Sequence, residues 1–403
     1  MTGSGGARRP RVLMFVLNEL IYDARVLKEA TTLAADHEVL LVGVWRRRFE
    51  LDQAGAAAAW PFAARWIDLA WTARLPRNIP GYLARYGRIY RELRRIGVAF
   101  RPDVVHAHEL GALPIGRAIR KATGARLLYD AHELYRDTAH GGAWYWRGLG
   151  AIETRIMKSC DAIVACNADR ARIMAEEYGA PFRPTVIENM PLRQEYAPST
   201  LLAERVGARE RGLTKLVLYQ GVIMTGRGLE LLPRALAKLP PHIGFVLVGG
   251  GAPGYRAELE AVAAAAGVAD RFFVLPPVPQ QELFPYTCSA DAGIVTYRNT
   301  CRNNYYCAPN KLYEYAAAGL PMIGSDMPPI RAFLAEHEVG EVFAEDDPAS
   351  LAAAVGAVCA DAEAHARYRA NCFAAAGHLH WDAAAALTLK ELYGRLLEPK
   401  DRK

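Results

Sequence analysis

The sequence predicts an α/β protein built as two doubly wound domains, and three observations predict it. Short apolar runs alternate with helix-period segments along nearly the whole chain, the signature of parallel sheets joined by crossover helices. The alternation breaks once, over residues 193–213, a polar stretch interrupted by Pro198 and Gly212, and then restarts. The 403 residues also exceed what one hydrophobic core ordinarily takes. The domains are therefore expected at 1–192 and 214–378. Residues 193–213 are read as a linker, and 379–403 as a C-terminal helix packing towards the first domain.

Each element has its own justification. Residues 11–17 (RVLMFVL) read as a buried strand, 24–37 as a helix and 38–45 as a second strand, which makes a βαβ unit. Strands follow at 103–108, 125–132, 161–167 and 185–190, with helices at 113–123, 144–158 and 168–178 between them. That gives six strands in the first domain. In the second, strands at 215–221, 244–251, 272–278 and 291–297 alternate with helices at 229–238, 255–266 and 280–289. Residues 303–321 (NNYYCAPNKLYEYAAAGLP) read as a loop running into a helix, followed by a short strand at 322–326. Residues 341–358 end the domain as strand, turn and helix. Two such halves place a cleft between them, where strand carboxyl ends bind ligands.

Composition narrows the class. The chain is 52% hydrophobic and 23% charged, and no apolar run is long enough to span a bilayer. Seven cysteines without metal-ligand spacing fit a reduced, cytoplasmic protein. The net charge of +6 is concentrated between Trp45 and Arg101, where twelve arginines face four acids among several Trp and Tyr residues. Residues 82–96 place Leu83, Tyr86, Ile89, Tyr90, Leu93 and Ile96 at helical spacing, with arginines largely opposite. Two readings stand: a solvated helix packed on a sheet, or a basic, aromatic-rimmed surface for an anionic acceptor or for anionic lipid headgroups, the latter with peripheral attachment to the inner face of a membrane. No reading motif for nucleic acid accompanies the charge. No Asp-x-Asp motif follows a strand, so no metal ligands and no cofactor are expected. The LVGGGAPG stretch lacks the dinucleotide fingerprint, which argues against an NAD enzyme. A helix start beside a strand is an anion site, and 303–321 is read as the holder of the diphosphate and ribose of a nucleotide-linked donor.

The pieces DARVLKEATTLAADHEV, PDVVHAHEL, RLLYDAHELY, CDAIVACN, TVIEN, LYQGV, GRGLELL, LVGGG, FFVLPPVPQQEL and PNKLYEYAAAGLP occur in an order and spacing that resembles the retaining family-4 glycosyltransferases of GT-B fold, over nearly the full length. The resemblance implies two Rossmann-like domains, the first binding the acceptor and the second a nucleotide sugar. It implies that Glu314, the second glutamate of the family's Glu-x7-Glu motif, accepts from the ribose hydroxyls, as a carboxylate can. Tyr306 stands where the first glutamate is expected, a departure in the part of the motif that contacts the donor sugar. Gly221, Gly249, Val278, Tyr306, Cys307, Asn310, Lys311 and Leu312 complete the expected donor set with Arg227 and Glu314. Arg227 matches a phosphate-binding cation of the family. Val222 stands at the other cation's position, so Lys311 is expected to supply the second charge to a departing diphosphate. His132 matches the histidine near the sugar's anomeric centre. Asn18, Asp23, His108 and Glu109 are expected at the acceptor, with His106 turned to the core.

The function implied is retaining, metal-independent transfer from a nucleotide-diphosphate sugar, expected to be UDP-linked, to a hydroxyl acceptor (a glycan, a lipid-linked sugar or a small metabolite), in the biosynthesis of surface polysaccharide, glycolipid or natural-product glycoside. The alternatives are a non-catalytic nucleotide-sugar-binding partner, suggested by Tyr306 and Val222, and an epimerase or phosphorylase on the same fold.

Overall fold

A computed structural model describes residues 8–45, 55, 57–70, 72, 75–76, 78–138 and 144–398, with the side chains of 144–147 left out. It divides into two compact units, 1–188 with 385–403, and 189–384.

The first unit holds seven parallel strands in the order β3-β2-β1-β4-β5-β6-β7. They are β1 (Arg11–Phe15), β2 (Glu38–Trp45), β3 (Ala63–Asp68), β4 (Val104–His108), β5 (Arg126–Ala131), β6 (Ala162–Ala165) and β7 (Thr185–Val186). The central strand β1 pairs on both sides, Val12 opposite Val39 and Val104. Its apolar run is buried on both faces, as a strand covered by helices on either side requires. The helices are α1 (Ala24–Ala34), α2 (Ile79–Phe100), α3 (Glu109–Thr123), α4 (Trp144–Met157) and α5 (Ala168–Glu176). Side chains cap three of them: Asp23 accepts from the Val26 N–H, Asn78 from Gly81 and Asn167 from Arg170.

The seventh strand, β3, departs from expectation. It lies at the sheet edge beside β2, and Ala64 and Trp66 are half-buried while Ala63, Arg65 and Asp68 are exposed. An edge strand needs only one partner and a half-buried face, so it shows no apolar run. Helix α2 buries Ile89, Leu93 and Ile96 against the fold. Tyr82 and Leu83, expected near or on that apolar face, stand 59% and 60% exposed. Arg46–Arg48, Trp71, Arg74 and Arg77, part of the same basic stretch, lie outside the described residues.

The second unit holds six parallel strands in the order β10-β9-β8-β11-β12-β13. They are β8 (Lys215–Gln220), β9 (Ile243–Val248), β10 (Phe272–Leu275), β11 (Ala292–Val295), β12 (Met322–Ser325) and β13 (Gly340–Phe343). Alternate residues of β8 point into two separate cores: Val217 and Tyr219 into one, Leu216 and Leu218 into the other. The helices are α6 (Leu201–Val206), α7 (Leu231–Leu236), α8 (Pro253–Ala265), α9 (Gln280–Cys288), α10 (Arg302–Tyr305), α11 (Lys311–Ala317), α12 (Pro328–His337), α13 (Pro348–Cys359) and α14 (Ala362–Ala376). Neither α12 nor α14 was anticipated from the sequence.

The expected linker is not a free connection. Its helix α6 buries Leu202 and Val206 in the second core together with Leu213, and the Leu202 N–H donates to Ser289 Oγ at 3.0 Å. Residues 379–384 also belong to the second unit, where the backbone N–H of the buried Trp381 donates to the Pro191 carbonyl at 2.7 Å. The last helix, α15 (Ala385–Leu397), belongs to the first unit, and its Tyr393 hydroxyl lies 3.0 Å from His106 Nδ1.

Candidate active site

In the second unit the site is built from glycines at strand ends. Gly221 follows β8 at φ 126°, a left-handed conformation that favours glycine. The loop after β8 runs hard against the loop after β9: Gly221 N–H donates to Val248 O at 2.9 Å and Ile223 N–H to Gly250 O at 2.8 Å. A Cβ on Gly249 would stand 1.8 Å from the Gly221 carbonyl oxygen, so only glycine fits there. A Cβ on Gly221 would meet the end of the Lys311 side chain, 3.1 Å away.

Lys311 opens α11 and crosses this glycine corner, its ammonium 4.8 Å from the centroid of the Tyr219 ring. Burial first, then the charge of Arg227, draws the Lys311 ammonium down to about 8. Arg227 is carried between Gly226 and Gly228, both at positive φ, and its guanidinium lies over the Tyr297 ring at 4.3 Å. Thr296 Oγ1 donates to its carbonyl at 2.9 Å. Lys311 thus lies close enough to Arg227 for the two charges to act on each other beside the glycine-lined strand ends.

Glu314, in the first turn of α11, accepts from Gln220 Nε2 at 2.5 Å, and Gln220 Oε1 accepts from Thr287 Oγ1 at 2.7 Å. Gln220, missed in the sequence, therefore fixes the Glu314 carboxylate; its signal was the polar residue closing an otherwise apolar strand. The remaining expected donor residues divide. Asn310 is exposed at the start of α11 and makes no side-chain cap bond. Tyr306 is half-buried, its ring edge-on to Tyr305 at 5.0 Å. Cys307 and Leu312 bury their side chains in the core, and Val278 packs against it. The Leu312 N–H donates to the Pro309 carbonyl at 3.3 Å.

In the first unit the expected residues sit at the ends of β4 and β5, around a buried ionic cluster. His132 follows β5. Its Nε2 lies 3.2 Å from Asp130 Oδ2 and its Nδ1 3.6 Å from Glu109 Oε1, with 14% of the side chain exposed. Glu109 opens α3 at φ 67°, an uncommon backbone conformation for a residue with a side chain, and is 30% exposed. Asp130 is fully buried and gripped by Arg25, Nε to Oδ2 at 2.9 Å and Nη2 to Oδ1 at 3.0 Å. Arg25 also donates from Nη1 to the Ile187 carbonyl at 2.8 Å and pairs with Glu29 at 3.1 Å.

This cluster corrects one expectation. His106 is buried as expected, but His108, which was placed at the acceptor, is buried beside it. Positions i and i+2 of a strand share a face, and both rings are fully buried, stacked 4.1 Å apart. His108 Nδ1 lies 3.3 Å from Asp130 Oδ2. Asp23 and Asn18 are also engaged within the unit: Asp23 caps α1, and the Asn18 carbonyl accepts from Val44 N–H at 3.1 Å. Burial lowers His106 and His108. Burial opposes ionisation of Asp130, but Arg25 and His132 outweigh it and hold the carboxyl well below its usual range. For His132 burial works against the charge, and Asp130 overcomes it, raising the imidazole well above its ordinary value.

Glu29, His106, His108 and Asp130 bring one ligand-type atom each within 4.8 Å of one another. The set does not suit a metal ion. Arg25 already supplies a cation there and touches both carboxylates, while the Nε2 atoms of His106 and His108 both approach Glu29 Oε2, at 3.6 and 3.8 Å.

Among known proteins, the family description "Glycosyltransferase Family 4" matches residues 25–190, and "Glycosyl transferases group 1" matches 214–361. The D-inositol 3-phosphate glycosyltransferase of Xylanimonas cellulosilytica is 28% identical over 302 residues, 71% of this chain and 70% of that protein. The enzyme of the same name from Geodermatophilus obscurus is 28% identical over 292 residues, covering 67% and 63%. Among solved structures, sucrose-phosphate synthase from Thermosynechococcus elongatus superimposes with a TM-score of 0.77 at 17% identity, covering 96% of this chain and 99% of that one. Anabaena HepE in complex with UDP and glucose gives 0.73 at 15% identity, covering 96% and 99%. With two Rossmann-like parallel-sheet units and both family descriptions matched in order, the chain belongs to the family-4 glycosyltransferases of GT-B fold.

Proposed function

We propose that this glycosyltransferase takes its sugar from a UDP-linked donor and transfers it, with retention and without a metal at the diphosphate, to a hydroxyl of a polyol or glycan. The observation that carries this reading is the pairing of Lys311 and Arg227 at the Gly221–Gly249 corner, with Glu314 fixed by Gln220. Two side-chain cations at a glycine corner suit a diphosphate, and they offset the charge it gains as the glycosidic bond breaks. Glu314 keeps acceptor capacity for a ribose hydroxyl. The name of the HepE complex and the acceptor named for the inositol 3-phosphate relatives support the donor and acceptor classes.

The proposed chemistry is a front-face displacement. The acceptor oxygen bonds to the anomeric carbon on the side from which UDP departs. The bond to the diphosphate oxygen breaks with its electron pair, and the acceptor proton passes to the departing diphosphate. The protein contributes position and charge. Incubation with UDP-sugars and a panel of polyol and glycan acceptors tests it. Release of UDP coupled to a product of unchanged anomeric configuration is expected. An inverted product refutes retention; failure of every sugar nucleotide to react favours the binding-partner alternative.

Attachment to anionic membrane is part of the same proposal. Ile79, Tyr82 and Leu83 are exposed at the start of α2, and Arg88, Arg91, Arg94 and Arg95 are exposed along it. Among the described residues no helix is long and apolar enough to cross a membrane. Flotation with phosphatidylserine-containing vesicles at low salt is expected; its absence removes this part alone.

A further inference from the structure

We propose that Asp130 is the positioning residue of the first unit's site: clamped by Arg25, it holds the His132 ring by Nε2 and leaves Nδ1 facing Glu109 as the edge offered to a ligand hydroxyl. This rests on the proposed transfer for its kinetic consequence but not for its structural one.

The argument begins with hydrogen-bond capacity. Asp130 is fully buried, and both its oxygens receive Arg25, so it is held as a carboxylate, an acceptor only. Any ring nitrogen directed at it must then carry a proton. Two are: His132 Nε2 at 3.2 Å and His108 Nδ1 at 3.3 Å, both on Oδ2. The 3.4 Å separation of those two nitrogens is therefore a shared approach to one oxygen rather than a bond between rings. With Nε2 protonated, a neutral His132 would turn an Nδ1 lone pair towards the Glu109 carboxylate. Protonation of Nδ1 replaces that repulsion with attraction, so the ring stands as a cation between two carboxylates. The Nδ1–Glu109 distance of 3.6 Å is too long for a full hydrogen bond. A substrate hydroxyl can accept from Nδ1–H and donate to Glu109, the two groups of this cluster that reach solvent.

The charged surroundings of His132 are consistent with this. From β5 and its end come Asp130 and Glu133. From β4 and α3 come His106, His108 and Glu109, and from α1 come Arg25 and Glu29. From α5 comes Arg170, which donates to the His132 carbonyl at 2.5 Å and pairs with Glu133 at 3.3 Å. Arg25 is spent on Asp130 and Glu29, and Arg170 on a carbonyl and Glu133. The cations nearby thus have carboxylate partners of their own, while Asp130 and Glu109 both face the ring. The left-handed backbone of Glu109 has a use in this account: it turns that carboxylate towards His132.

Nitrogen-resolved NMR of the histidine rings in the free protein is the test. His132 is expected to keep both ring protons well above pH 6.5 and to lose one at lower pH in Asp130→Asn and in Glu109→Gln. In transfer assays Asp130→Asn is expected to lower kcat about 100-fold, with KM for the donor little changed. In a His132→Ala background the same substitution should have almost no further effect. Because Asp130→Asn strips Arg25 of its buried partner and can impair folding, the partly exposed Glu109→Gln serves as the second variant. Its His132 shift should come without loss of Tm. A wild-type His132 that titrates at its ordinary value overturns the inference whatever the transfer assay gives. So does a loss in Asp130→Asn that persists in full without His132. Absence of any transfer activity would refute the proposed function and leave the titration result standing.

Discussion

The two units present opposite kinds of site. The first unit's is a knot of side chains that satisfy each other: Arg25, Asp130, His108 and His132 are bonded inward, and only edges of His132 and Glu109 reach solvent. The second unit's is a corner of backbone. Gly221 and Gly249 meet where no side chain fits; Lys311 extends over Gly221, and the Arg227 charge acts on Lys311 from over the Tyr297 ring. A small, highly charged diphosphate calls for close backbone approach and cations it can neutralise. A neutral hydroxyl calls for a donor and an acceptor fixed in direction. The contrast therefore follows the two ligand classes proposed.

The largest test of this contrast is to remove charge from the open corner. Arg227→Ala and Lys311→Ala are each expected to lower turnover on the order of 100- to 1,000-fold while leaving Tm nearly unchanged, as measured by steady-state kinetics and calorimetry. Loss in Arg227→Ala alone would mean that Lys311 is only a helix lysine. Next is the corner itself. Gly249→Ala forces its new methyl into the Gly221 carbonyl, a backbone atom that cannot swing away, and should cost about 1–3 kcal/mol in urea unfolding. Gly356→Ala, inside α13 with no atom near its would-be Cβ, is the control and should stabilise by roughly 0.5–1 kcal/mol.

The pH dependence is smaller in reach. With the Lys311 ammonium near 8, transfer should decline as pH rises through about 8, because the charge that stabilises the departing diphosphate is lost. The sign for stability is opposite. Between about 8 and 10.5 the unfolded chain holds a proton that folded Lys311 has given up, so this group adds stability as pH rises across that window. Lys311→Arg, with a charge that does not titrate there, should flatten the decline. The smallest effect is at the rim of α2: Leu83→Ser should change stability by less than about 0.5 kcal/mol yet weaken vesicle binding.

The sheets were legible because parallel strands buried on both faces must be apolar runs, as VLMF in β1 and FVLV in β9 are. Strand β3 was not, because an edge strand with exposed Arg65 and Asp68 has no such need. The 193–213 stretch looked like a linker because its polar residues dominate, although Leu202, Val206 and Leu213 suffice to bury it. In the donor half, Lys311, Arg227 and Glu314 were legible because the motifs that hold them are local. Gln220 was not, since its partner Glu314 lies 94 positions away. The Arg25–Asp130 clamp was invisible for the same reason, its members being 105 positions apart. The placement of His108 failed on simple alternation: it shares a face with His106, so both enter the buried cluster.

The central claim is that the glycine corner with Lys311, Arg227 and Glu314 binds a uridine diphosphate. Isothermal titration of the whole protein with UDP tests it most directly. The account predicts one site per chain, binding weakened at least tenfold in Arg227→Ala and in Glu314→Ala, and no such loss in Asp130→Asn. No binding of UDP at millimolar concentration, or binding that survives both second-unit substitutions unchanged, would contradict it.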